Sequence, residues 1–130
     1  MSLRSPLGKV LGRGSAKQGV SHWWVQRVTA IALVPLALWF VFQMVHLPTA
    51  SFDAVREWVA AGFNPVLLIL LIGAMSWHSA LGVQVVIEDY LPHKGVKVTA
   101  LLASHLFHVV IAVAGTYAVL RIAFTTFTAG

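Results

Sequence analysis

From Pro65 to Ile87 the chain carries no Asp, Glu, Lys or Arg, and it is apolar for about the 20 residues that a helix needs to cross a bilayer. The stretch contains one ionisable side chain, His78, near its centre. An ionisable group at that depth is costly and marks a functional site. A histidine there fits three roles: a metal or haem ligand, a proton relay, or a helix–helix hydrogen bond. The run then closes on three polar residues, Glu88, Asp89 and Tyr90.

Composition narrows the setting. The 130 residues are 58% hydrophobic and only 10% charged, where a soluble domain carries roughly 25% charged residues, so the chain reads as an integral membrane protein. It has no cysteine, which excludes disulfides, thiolate zinc sites, iron–sulfur ligation and a cysteine nucleophile. Metal chemistry must therefore rest on histidine. The net charge of +5 is not a nucleic-acid signal, because the basic residues sit at span ends, where they orient the chain in the membrane.

Residues 1–21 are polar, basic and free of acidic side chains, with Arg4, Lys9, Arg13 and Lys17, and are expected to form a cytoplasmic tail. The membrane domain is expected over 22–130, as an all-α arrangement of three transmembrane helices. The first span is expected over about 25–46: too long for the apolar core of a signal peptide, it opens on the interfacial pair Trp23 and Trp24. Arg27 lies about one turn inside it, and Pro35 is expected to kink it. In the first loop, Ser51 as N-cap, Asp53 in the first turn and Gly62 just past the end frame a short amphipathic surface helix over about 52–61. The second and third spans are expected over about 65–87 and 98–125.

Five basic residues precede or begin span one (Arg4, Lys9, Arg13, Lys17, Arg27), Arg56 lies in the first loop, Lys94 and Lys97 in the second, and Arg121 near the far end of span three. The excess of positive charge puts the N-terminus and the second loop in the cytoplasm and the C-terminus outside. His22, Arg27, Asp89 and Tyr90 then gather at the cytoplasmic surface.

Ala74 and Gly82 flank His78 on one helical face, so a flat macrocycle or another backbone can approach it closely. His105 and His108 share a face of span three, and His108 lies at nearly the depth of His78. A bis-histidine site between spans two and three is one reading of that; bonding to backbone or to a partner helix is the other. His46 and His93 fall at span ends, where solvation accounts for them. Tyr90 is either an interfacial anchor or a phenol that bonds a ligand carbonyl, with Asp89 as a route for protons.

The segment His78-Ser-Ala-Leu-Gly-Val-Gln-Val-Val-Ile-Glu-Asp-Tyr90 resembles the signature of the hydrophobic membrane anchors of bacterial succinate dehydrogenase, respiratory complex II. Gln26-Arg27-Val28-Thr29-Ala30-Ile31 is similar to the Arg-x-Thr-Ala-Ile segment of the same family. The resemblance implies that His78 is one axial ligand of a b-type haem shared with a companion cytochrome b anchor, whose histidine is the other. Tyr90 would bond a ubiquinone carbonyl with Asp89 in support, and Arg27 would lie near the haem propionates or the quinone pocket. His22 would join that group, since a nearby histidine occurs in relatives at a varying offset from the arginine.

The resemblance gives no role to His105 or His108. The implied partners are a flavoprotein, an iron–sulfur protein and the cytochrome b anchor, together in a bacterial inner membrane. With no flavin motif and no cysteine here, succinate oxidation is expected in those partners. The rival expectations are an anchor of a fumarate reductase or other b-type oxidoreductase, and a small non-redox transporter or scaffold.

Overall fold

The computed structural model describes residues 16–127, so the expected tail over residues 1–15 lies outside the described residues. Four helices follow in order: α1 (Ala16–Val45), α2 (Phe52–Ala60), α3 (Asn64–Tyr90) and α4 (Lys94–Phe127). The described residues contain no strand. Three stretches are long and apolar enough to cross a membrane, Val20–Val45, Asn64–Tyr90 and Lys94–Thr126. Each of the three long helices runs past the span expected for it at one end or both. α1 already includes residues 16–21, which composition had assigned to the tail.

α3 is the centre of the arrangement. It packs against α1 on one side and α4 on the other, whereas the backbones of α1 and α4 stay apart. The buried residues follow that order: Leu68, Leu71, Ala80 and Leu81 all belong to α3, joined by Val59 from α2 and Val119 from α4. Most other large apolar side chains are exposed, Ile31 by 69%, Leu38 by 67% and Phe107 by 62% among them, which water would penalise and lipid or a partner helix does not. Pro35 lies within α1 and withholds one backbone donor, yet the helix continues on both sides of it.

The short helix α2 closes the end of the bundle opposite Tyr90. Ser51 caps it, accepting from the Ala54 amide at 3.3 Å, and Asp53 stands in its first turn. Gly62, at φ +52°, makes the left-handed turn that releases the chain towards α3. Val59 is buried against Leu68 and Val119, while Trp58 stacks on Trp39 of α1 at 5.9 Å. Asn64 donates from Nδ2 to the Trp58 carbonyl at 2.7 Å and so ties the turn together. The apolar face of α2 fades outward, with Phe52 78% exposed.

Two contacts fix how α3 and α4 meet. Gly115 lets α4 lie close to Ile72, since a β-carbon there would stand 3.2 Å from two of its side-chain carbons. At the other end, Lys97 donates from Nζ to the Glu88 carbonyl at 2.8 Å, satisfying one of the last acceptors of α3.

Candidate functional site

α1 and α3 run antiparallel, so the start of α1 lies beside the end of α3. The seam between them carries the polar residues of interest. His78 is half-buried there, and its Nδ1 lies 3.0 Å from Oγ1 of Thr29. Its other ring nitrogen, Nε2, makes no hydrogen bond among the described residues. Space beside it is open: a β-carbon on Gly82, one turn along, would meet nothing within 4 Å. A ring held through one nitrogen, with the other available and a bare glycine alongside, suits coordination by a flat group from outside the chain.

Towards the Tyr90 end the same seam opens into a cleft of about 570 Å³, within the roughly 300–1,000 Å³ range of small-molecule sites. Its polar lining is Ser21, His22, Gln84 and Glu88, set against Val25, Trp77, Leu81 and Val85. Gln84 donates from Nε2 to Oε1 of Glu88 at 2.8 Å, along one face of α3. Nε2 of His22 is sealed from solvent without a hydrogen-bond partner among the described residues. A buried imidazole nitrogen left so is costly and points to a missing partner.

The remaining expected site residues lie outside that cleft. Arg27 is exposed, with its guanidinium 5.2 Å from the centroid of Trp23, one turn back along α1. Asp89 is exposed at the end of α3, and Tyr90 is 79% exposed. The chain alone therefore joins His22 to Gln84 and Glu88, not to Asp89 or Tyr90. Sequence reasoning gave no role to Gln84, Glu88 or Thr29. The first two carried a usable signal, since Trp77, Leu81, Gln84 and Glu88 recur at helical spacing on one face.

The other span histidines are accounted for differently. His108 lies 2.7 Å from the Ser104 carbonyl through Nδ1 and 3.1 Å from Oγ of Ser79 through Nε2, so both its nitrogens are engaged. A carbonyl only accepts, which makes Nδ1 the donor and Nε2 the acceptor of the Ser79 hydroxyl. His105 donates likewise to the Leu101 carbonyl at 2.8 Å. Both line a small hollow between α3 and α4 with Gly73, Ala80 and Ala112, and His78 takes no part in it. The packing reading holds for His108, and the geometry gives no bis-histidine site between His78 and His108. No cluster of three or more His, Cys, Asp or Glu side chains able to hold a metal ion occurs among the described residues.

The family model described as Succinate dehydrogenase/Fumarate reductase transmembrane subunit matches residues 1–119. Among curated proteins, the succinate dehydrogenase hydrophobic membrane anchor subunit of Rickettsia bellii is 33% identical over 89% of this chain and 93% of its own length. That of Rickettsia conorii is 31% identical over 85% of this chain and 89% of its own. The corresponding protein of Paracoccus denitrificans is 26% identical over 85% of this chain and 84% of its own.

Proposed function

The chain belongs to the succinate dehydrogenase/fumarate reductase transmembrane subunit family, among the succinate dehydrogenase membrane anchors, and from that premise we propose that it binds a shared b-type haem through His78 and contributes to a ubiquinone site. The single observation that carries the haem reading is the state of His78. It is half-buried at a helix seam, held through one nitrogen, and its Nε2 has no partner among the described residues, whereas His108 has none to spare. A haem bound there would supply one-electron transfer. His78, with a histidine of the companion anchor, would hold the iron.

Four groups stand towards the Tyr90 end to serve the polar edge of such a site. The unpartnered Nε2 of His22 can meet an acceptor, and the Arg27 guanidinium spends its face on Trp23 while keeping its donors for an anion. The exposed phenol of Tyr90 can donate to a ubiquinone carbonyl, with Asp89 beside it to exchange protons with water. This chain lines only part of a quinone pocket, and the iron–sulfur protein and the companion anchor would complete it. Basic residues concentrate at this end, which supports a cytoplasmic orientation for it and docking of the dehydrogenase partners there. The membrane would be the bacterial inner membrane.

Succinate oxidation falls to the flavoprotein and iron–sulfur partners, since this chain brings neither cysteine nor flavin motif. The readings as a fumarate reductase anchor or a small transporter are not favoured, because the relatives described above carry the succinate dehydrogenase name. Purification of the native complex from membranes tests the proposal. A b-type haem spectrum and succinate-dependent quinone reduction are expected in the fraction containing this chain. Co-purifying dehydrogenase without haem would remove the role given to His78.

A further inference from the structure

The Thr29 hydroxyl lies within hydrogen-bond reach of three atoms: the Val25 carbonyl at 2.9 Å, the Gln26 carbonyl at 3.0 Å and Nδ1 of His78 at 3.0 Å. A hydroxyl has one proton and two lone pairs, and a carbonyl oxygen can only accept. The two carbonyl contacts therefore claim the proton of Thr29, shared between them along its own helix. Threonine in a helix is stiff at χ1, and this back-bonded rotamer is one of the two it prefers. What the hydroxyl offers to His78 is then a lone pair, and the contact is made by a proton on Nδ1.

We infer that Thr29 is a positioning residue for His78: it fixes the imidazole as the Nδ1–H tautomer and leaves Nε2 as the unprotonated nitrogen, the one able to bind iron. The inference rests on the haem reading for its consequence, but not for its geometry. His105 and His108 carry the same tautomer by another route, donating to carbonyls one turn back on their own helix. His78 alone among the three takes its Nδ1 partner from a different helix, so its ring orientation depends on α1 and α3 staying in register. The acceptor is also neutral. A hydroxyl holds the tautomer and lends the ligand modest basicity, less than a carboxylate in the same place would give.

The test compares the wild-type complex with Thr29→Val, which keeps the side-chain shape and removes the oxygen, and with Thr29→Ser, which restores it. In complexes carrying nitrogen-15 histidine in this chain, solid-state NMR should report one histidine whose signals change in Thr29→Val and return in Thr29→Ser. In the wild type that histidine should be protonated at Nδ1. With haem bound, Thr29→Val should also raise the haem midpoint potential, since a ligand without its Nδ1–H bond is a poorer donor to ferric iron, and should weaken haem retention by roughly 10- to 100-fold. Wild-type protonation at Nε2, or no histidine signal that responds to Thr29→Val, would overturn the inference. The NMR readout needs no haem. A complex without haem would strike the haem reading while the tautomer result still decides the role of Thr29.

Discussion

Oγ of Ser79 lies 3.1 Å from Nε2 of His108, one residue beyond His78, and that single step divides α3 into two sides. Adjacent residues on a helix point about 100° apart, so His78 turns to α1 while Ser79 turns to α4. The Ser79–His108 bond is a clasp between two spans. Ser79→Ala and His108→Leu should each loosen the α3–α4 contact, with a coupling of about 0.6 kcal/mol in a double-mutant cycle on unfolding of the detergent-solubilised complex. The haem spectrum should stay unchanged in both. A lost spectrum in His108→Leu would bring back ligation by that residue.

Two glycines on facing helices should respond in opposite ways. Gly115→Val drives a side chain into Ile72, whose carbons already stand 3.2 Å from where a β-carbon would be, and should cost about 1–3 kcal/mol of stability. Gly82→Phe places its β-carbon where no described atom beyond the local turn of α3 lies within 4 Å. It should leave the three-helix packing intact and lower the haem content of the complex. Thermal unfolding and haem-to-protein ratio, measured together, separate the two effects.

Tyr90→Phe removes only the phenol oxygen from a side chain that is 79% exposed, so the fold should not register it. Succinate-dependent ubiquinone reduction should fall well below wild type. Succinate oxidation by an artificial dye that takes electrons before the membrane should be nearly unaffected. Equal loss in both assays would assign Tyr90 to docking or assembly instead of quinone binding.

The cap of α2 offers a smaller and independent check. Ser51→Ala removes the oxygen that accepts from the Ala54 amide and should cost about 1 kcal/mol of local helix stability. Faster amide hydrogen exchange over 52–60, with the Tyr90 end unchanged, is the expected result. Exchange unchanged over 52–60 would mean that packing of Val59 and Trp58 alone holds α2.

How much of this was legible in the sequence depends on the range of the interaction involved. Helix identity and the capping of α2 are local, and Ser51, Asp53 and Gly62 announced them at short spacing. His78 was visible because an imidazole in hydrocarbon is conspicuous by itself. Its partner was not, since Thr29 stands 49 residues away and only the antiparallel pairing of α1 with α3 brings the two together. The same holds for the cleft. Sequence spacing drew attention to Asp89 and Tyr90, but which face of α3 meets α1 decides that Gln84 and Glu88 join His22 instead. His105 and His108 looked like candidate ligands until their neighbours were known: one carbonyl and one hydroxyl account for both nitrogens of His108.

The measurement that tests the central claim most directly is the reduced-minus-oxidised spectrum of the purified complex carrying His78→Leu. If His78 ligates the haem, the b-type signal should be lost or altered in position while this chain still co-purifies with its dehydrogenase partners. A spectrum identical to the wild type, in a complex of unchanged haem content, would contradict the account.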